Sequence, residues 1–160
     1  MIFFTKNKLR FISFNYTSIL EQIYCINEVF HIHGCVEYND DLIVGHNKDT
    51  NKYLENCDDY LKEEAYEYLK GIHYEYIKNT DIIINNNKNI FKDMNTANKI
   101  YFYGFGFGNS DNDYIKEIID NIGENTQIYI CKYQYRNNYD HIKNVFERNG
   151  YNKPIFEMDI

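Results

Sequence analysis

The stretch KIYFYGFGFGNSDNDYIKEIIDNIGENTQIYIC, Lys99 to Cys131, decides the fold. Lys99 to Tyr103 reads as a strand, because aromatic and β-branched residues dominate it. The chain then breaks at the glycine loop Gly104-Phe-Gly-Phe-Gly108. Ser110 or Asp111 can cap a helix over Asn112 to Asn121, and Gly123 stops it. Ile128, Tyr129 and Ile130 make the continuous apolar run of a buried strand, Gln127 to Cys131. Strand, helix and strand with short joints form one parallel crossover unit.

Working outward, the C-terminal side adds a helix from Tyr139 to Asn149 and a strand from Ile155 to Met158. On the N-terminal side, Thr80 to Asn95 predicts a helix carrying Ile82, Ile83, Ile90, Phe91 and Met94. Leu54 to Ile77 reads as another, with Leu61, Ala65, Tyr68, Leu69 and Ile72 on an apolar stripe opposite Glu63, Glu64, Glu67 and Lys70. Earlier still, residues 9 to 14 predict a strand, and Thr17 or Ser18 caps a helix with Glu21 near its first turn. Strands follow over Val29 to His33, ending at Gly34, and Leu42 to Val44, ending at Gly45-His46. The whole predicts an α/β fold in one domain over residues 1–160. Its sheet is three-layer and mostly parallel, with helices on both faces, in a partial Rossmann-like arrangement.

Composition agrees with a packed domain: 160 residues with 44% hydrophobic and 18% aromatic content can fill a core. A formal charge of -7, with the lysines scattered singly, argues against a nucleic acid partner, since neutralising phosphates needs clustered Lys and Arg. No apolar run reaches the roughly 18 residues that would span a membrane. Four cysteines without CxxC spacing, and no opening of signal-peptide type, predict reduced thiols and a cytoplasmic location.

In open parallel sheets, ligands bind beyond the carboxyl ends of the strands. Asn15 follows the first predicted strand, His33 and Gly34 the second, and Gly104 to Asp111 a later one. Each alone is also a turn former, a core histidine or a tight loop. Their agreement at three strand ends marks a candidate site. The loop GFGFGNSD matches the first two glycines of a dinucleotide fingerprint, but Asn109 stands where the last glycine belongs. Bare N–H groups there and at the helix start can approach a phosphate or a ribose hydroxyl. His31, His33 and Cys35 alternate, which would place them on one face, with His46 and Cys57 downstream, so a zinc site is an alternative. His46 is also a candidate second base. Asp40-Asp41 and Asp58-Asp59 read as solvated surface.

The order F-N-Y-T-x-x-L-E at Phe14, H-I-H-G at His31, Gly45-His46, and Y-G-x-G-x-x-x-S-D from Tyr103 resembles the AbiH abortive-infection family of bacteria. That family is similar in turn to sirtuin-like domains. The resemblance runs from about Phe11 to Asp113. It implies an NAD substrate whose N-glycosidic bond is hydrolysed or whose ADP-ribose is transferred. By it, Asn15 corresponds to an Asn that positions the attacking water, and His33 to a general base toward a ribose hydroxyl. Gly34, Gly104, Gly106, Ser110 and Asp111 correspond to the nucleotide-lining positions. Thr17 stands where related enzymes have Asp. A glycine-rich pyrophosphate turn before the first matched strand has no counterpart, so the chain is expected to represent the family's C-terminal half. The alternatives are a nucleotide-sensing or protein-interaction module without turnover, and an inactive fragment. A homo-oligomer, or a second chain that completes the pocket, is an accompanying expectation.

Overall fold

The computed structural model describes residues 1–4, 8–46, 68–69, 71–72 and 74–158. Cys57, Asp58-Asp59 and most of the helix expected over Leu54 to Ile77 lie outside the described residues. Of that helix's apolar stripe, Tyr68, Leu69 and Ile72 are described, and all three are exposed.

Six strands, β1 (Ile2–Phe4), β2 (Leu9–Ser13), β3 (Val29–His31), β4 (Lys99–Phe102), β5 (Gln127–Cys131) and β6 (Ile155–Met158), form one sheet in the order β3-β2-β1-β4-β5-β6. β2 pairs parallel with β3, and β4, β5 and β6 pair parallel in turn. β1 is antiparallel to both β2 and β4, so β2 to β6 all run one way with β1 wedged against them. The fold is α/β and Rossmann-like. Too few residues separate β1 from β2 for a crossover helix, which leaves antiparallel pairing as the available geometry.

The helices are α1 (Ile19–Tyr24), α2 (Thr80–Asn86), α3 (Lys88–Lys92), α4 (Asn112–Asn121) and α5 (Lys132–Arg148). Alternation along β4 and β5 turns Ile100, Phe102, Ile128 and Ile130 to one face, where they are fully buried. Against them pack Ile83 and Ile84 of α2, Phe91 of α3, Tyr114, Ile115 and Ile118 of α4, and Ile142, Val145 and Phe146 of α5. The other face carries the stacked rings of Tyr101, Tyr129 and Phe156. It also carries His31, through which Glu21 ties α1 to that side.

α4, β5 and β6 fall where the sequence puts them; β1 lies outside the expected elements, the strand expected over Val29 to His33 stops at His31, and three further elements differ. Leu42 to Val44 is not a strand. Leu42 and Val44 are exposed, and the segment hangs on hydrogen bonds at Ile43, whose N–H donates to the His33 carbonyl at 3.0 Å and whose carbonyl accepts from Tyr16 Oη at 2.9 Å. The helix expected over Thr80 to Asn95 is divided at Asn87 and tightens to a 3-10 turn over Asp93–Thr96. α5 begins seven residues before Tyr139, directly after β5, and breaks helical geometry at Asn138. Its polar first turns carry no apolar period that would announce them.

Candidate functional site

Because β2 to β4 run the same way, their carboxyl ends meet at one edge of the sheet. There a cavity of about 450 Å³ opens. One wall is Phe14 to Thr17 after β2, with His33 after β3. The opposite wall is Tyr103 to Gly106 and Asp111 after β4, with Lys78 between the two. A second cavity, of about 650 Å³, continues over the ends of β5 and β6 and shares Tyr103 and Gly104 with the first.

Asn15 is exposed at the cavity, and its backbone is fixed on both sides. Its N–H donates to Oγ of buried Ser13 at 3.2 Å, and its carbonyl bonds His31 Nδ1 at 3.2 Å. His31 Nε2 pairs with Glu21 at 2.7 Å, so this histidine clamps the Asn15 turn to α1. No described side chain takes the Asn15 amide. An amide left open to a cavity can hold a water without competing for its proton.

His33 is 3% exposed. Its Nε2 lies 3.0 Å from Tyr114 Oη, and its Nδ1 lies 3.3 Å from both the Phe14 carbonyl and Lys78 Nζ. The Phe14 and Tyr114 rings meet it edge-on at 5.5 Å each. Burial, and then the Lys78 charge, bring its pKa down to about 4, so the ring is neutral at pH 7.

Asp111 and Lys78 both line the cavity and attract each other. Burial raises the carboxyl's pKa and lowers the ammonium's, and their mutual attraction partly offsets both shifts. Gly106 allows the carboxylate close to the loop, since a Cβ there would stand 3.3 Å from Asp111 Oδ2. Gly104 takes a left-handed backbone, φ +62°, with open space around it. Phe105 and Phe107 of the same loop are buried in the core and hold it in place.

Five of the seven residues expected at a site therefore line this cavity: Asn15, His33, Gly104, Gly106 and Asp111. Gly34 and Ser110 do not. Gly34 turns the chain after β3 at φ +82°, where a Cβ would meet the Asp41 carbonyl at 2.8 Å. Ser110 bonds Asp111 at 3.4 Å. His31, His33 and Cys35 do not share a face either. β3 ends at His31, and the turn sends His33 to Tyr114 while Cys35 Sγ bonds Glu37 at 3.2 Å. Among the described residues no three His, Cys, Asp or Glu side chains converge on a metal-sized site.

Lys78 and Tyr114 belong to the site and escape the sequence reading, and Tyr16, which stands within F-N-Y-T, is given no role by it. Tyr114 looks like any core residue of an amphipathic helix. Lys78 is placed by a single parallel bridge between His46 and Ile77, which leaves no local pattern. His46, expected as a base, serves here through its backbone: its N–H donates to the Tyr76 carbonyl and its carbonyl accepts from the Lys78 N–H, at 3.0 and 2.9 Å.

A Rossmann-like sheet with an open cleft at its carboxyl edge is the class of site in which α/β proteins hold nucleotide-sized ligands. Residues 2–133 match the family model described as Bacteriophage abortive infection AbiH, and the chain belongs to that family. The family's role is in abortive infection by bacteriophage. Because the match starts at residue 2 and takes in β1, the expected restriction to a C-terminal half is not borne out. No curated protein and no solved structure matches the chain. Among the described residues no helix is long and apolar enough to cross a membrane.

Proposed function

We propose that the cavity binds NAD and cleaves its N-glycosidic bond, so that the protein acts in phage defence by consuming this nucleotide. The observation that carries the reading is the joint lining of one cavity by Asn15 and His33, opposite the Gly104–Gly106 turn. In this mechanism the Asn15 amide holds a water against the anomeric carbon of the nicotinamide ribose. The water oxygen bonds to that carbon as the carbon–nitrogen bond breaks. Nicotinamide leaves neutral, because its ring nitrogen recovers the bonding pair, and the water's proton passes to the site or to solvent. His33, neutral at pH 7, accepts a hydrogen bond from a ribose hydroxyl. Asp111 suits a second hydroxyl, and the adjoining cavity beyond Tyr103 gives room for the other half of a dinucleotide.

The test is nicotinamide release from NAD by the purified protein. Asn15→Ala and His33→Ala, with unchanged circular dichroism, should each lower the rate by about a hundredfold or more. Release by neither wild type nor variants, or equal release by all three, sinks the reading.

One observation favours a second reading, a nucleotide sensor without turnover. Both ring nitrogens of His33 already have partners, which ties up the base. Calorimetry that finds ADP-ribose bound, together with NAD left intact, selects the sensor.

A further inference from the structure

Three groups compete for one imidazole. The Phe14 carbonyl, an acceptor only, and the Lys78 ammonium, a donor only, both lie 3.3 Å from His33 Nδ1. Tyr114 Oη, able to do either, lies 3.0 Å from Nε2. A neutral imidazole carries one proton, so Nδ1 serves either Phe14 or Lys78 at a given time. With Lys78 donating, the proton sits on Nε2 and is given to Tyr114. With Lys78 turned away, Nδ1–H donates to Phe14, and Nε2 becomes the lone-pair nitrogen.

Lys78 itself is half-buried on the cavity wall, and among the described residues no carboxylate hydrogen-bonds its ammonium. Its backbone is held firmly. A Cβ at Gly45, where φ is +140°, would stand 2.2 Å from the Tyr76 carbonyl, so only glycine lets the His46 bridge close on residues 76–78. The Asp111 carboxylate attracts this ammonium without hydrogen-bonding it, and its hydrogen-bond partner is a neutral ring, so the lysine can still take a closer anion. Strongly anionic oxygens are what an ammonium binds best.

We infer that Lys78 is the phosphate-holding residue of this cavity, and that its move onto a nucleotide's phosphate transfers the His33 proton from Nε2 to Nδ1. The inference rests on the reading that the cavity takes a nucleotide, and it adds both the group selected and a coupling. Ligands with phosphate turn Nε2 into the lone-pair nitrogen, which then accepts from Tyr114 Oη, and nucleosides without it leave the ring as it stands. The cavity then discriminates nucleotides from nucleosides before any chemistry occurs.

The experiment titrates ADP-ribose, inorganic pyrophosphate and adenosine into the full chain by calorimetry, and follows the His33 ring nitrogens by 15N NMR. Wild type should bind ADP-ribose and pyrophosphate, with the proton moving to Nδ1 on binding. Lys78→Gln should weaken both ligands by about tenfold to a hundredfold, leave adenosine unchanged, and show the proton on Nδ1 with no ligand present. Lys78→Arg should retain most of the affinity for phosphate, and Gly45→Ala should weaken it as Lys78→Gln does. The proposal is overturned if wild type binds neither phosphate ligand, if Lys78→Gln loses adenosine as much as ADP-ribose, or if the ring proton does not move. Lys78-dependent binding without nicotinamide release overturns the cleavage reading and leaves this one standing. Nicotinamide release with a KM unaltered by Lys78→Gln does the reverse.

Discussion

The two halves of the sheet share one core but draw on apolar burial to different degrees. β4, β5 and β6 with α4 and α5 rest on apolar burial: Phe102, Ile128, Ile130, Tyr114, Ile118 and Phe146 are all fully buried. β3 and α1 are short, and α1 buries none of its residues. That half gives Ile12 and Ile32 to the same core, and its turns and α1 are pinned by polar contacts. His31 bonds Glu21, Tyr16 bonds the Ile43 carbonyl, the Ser18 N–H bonds Glu37, and the Cys35 N–H bonds Asp40. The cavity lies on the seam. Its glycine loop hangs from the apolar half, and Asn15 and His33 come from the polar half. In a site built this way, the wall carrying Asn15 should open more readily than the wall carrying the glycine loop.

The largest expected effect tests the apolar half. Phe102 touches Phe105, Phe107 and Phe146, with ring centroids 5.5, 5.4 and 5.7 Å away. Phe102→Ala should cost about 3 to 5 kcal/mol in urea unfolding, because the cavity it leaves is walled by rings that cannot all relax. A loss under about 1 kcal/mol would remove the contrast between the halves.

How much of this was legible in the sequence follows the same division. α4 and β5 were legible through local signals: a cap at Ser110 or Asp111 and a stop at Gly123 bound the helix, and the continuous apolar run Ile128-Tyr129-Ile130 marks a buried strand. Asn15, His33, Gly104, Gly106 and Asp111 were legible as polar or glycine residues at strand ends, a position that parallel sheets reserve for ligands. What escaped depends on partners distant in the chain. β1 is three residues long, and its central place is set by pairing with Leu9–Phe11 on one side and Lys99–Tyr101 on the other. Leu42 to Val44 has the composition of a strand and lacks a neighbour to pair with among the described residues. Lys78 owes its position to Gly45-His46, whose own signal pointed to a histidine side chain and not to a backbone clamp.

The next effect crosses the seam. His33 has a pKa of about 4 in the fold, below its ordinary value near 6.5, because burial and Lys78 disfavour the charged ring. Between those values the unfolded chain takes up a proton that the folded chain refuses. Stability is therefore full above pH 6.5 and falls as pH drops toward 4, by roughly 3 kcal/mol at most. Chemical unfolding at steps across this range should show the slope in wild type and a flatter one in His33→Gln. Equal slopes would mean that the ring charges freely and that the wall carrying it opens to water below pH 6.5.

The smallest effect sharpens the comparison most. Ile23 in α1 is 67% exposed, so Ile23→Ala removes apolar surface most of which folding leaves in water. Area arithmetic gives it almost no stabilising role, and the change in unfolding free energy should stay within about 0.5 kcal/mol. Local opening is a separate quantity, since six residues of helix without a buried side chain have little to resist it. Amide exchange in α1 should be fast and governed by the His31–Glu21 contact, while α4 exchanges near the rate of global unfolding. Glu21→Gln, which removes the carboxylate from His31, should then speed exchange in α1 and at Asn15 and leave α4 untouched. If α1 is instead as protected as α4, the polar half is as cooperative as the apolar one, and the wall that carries Asn15 does not adjust.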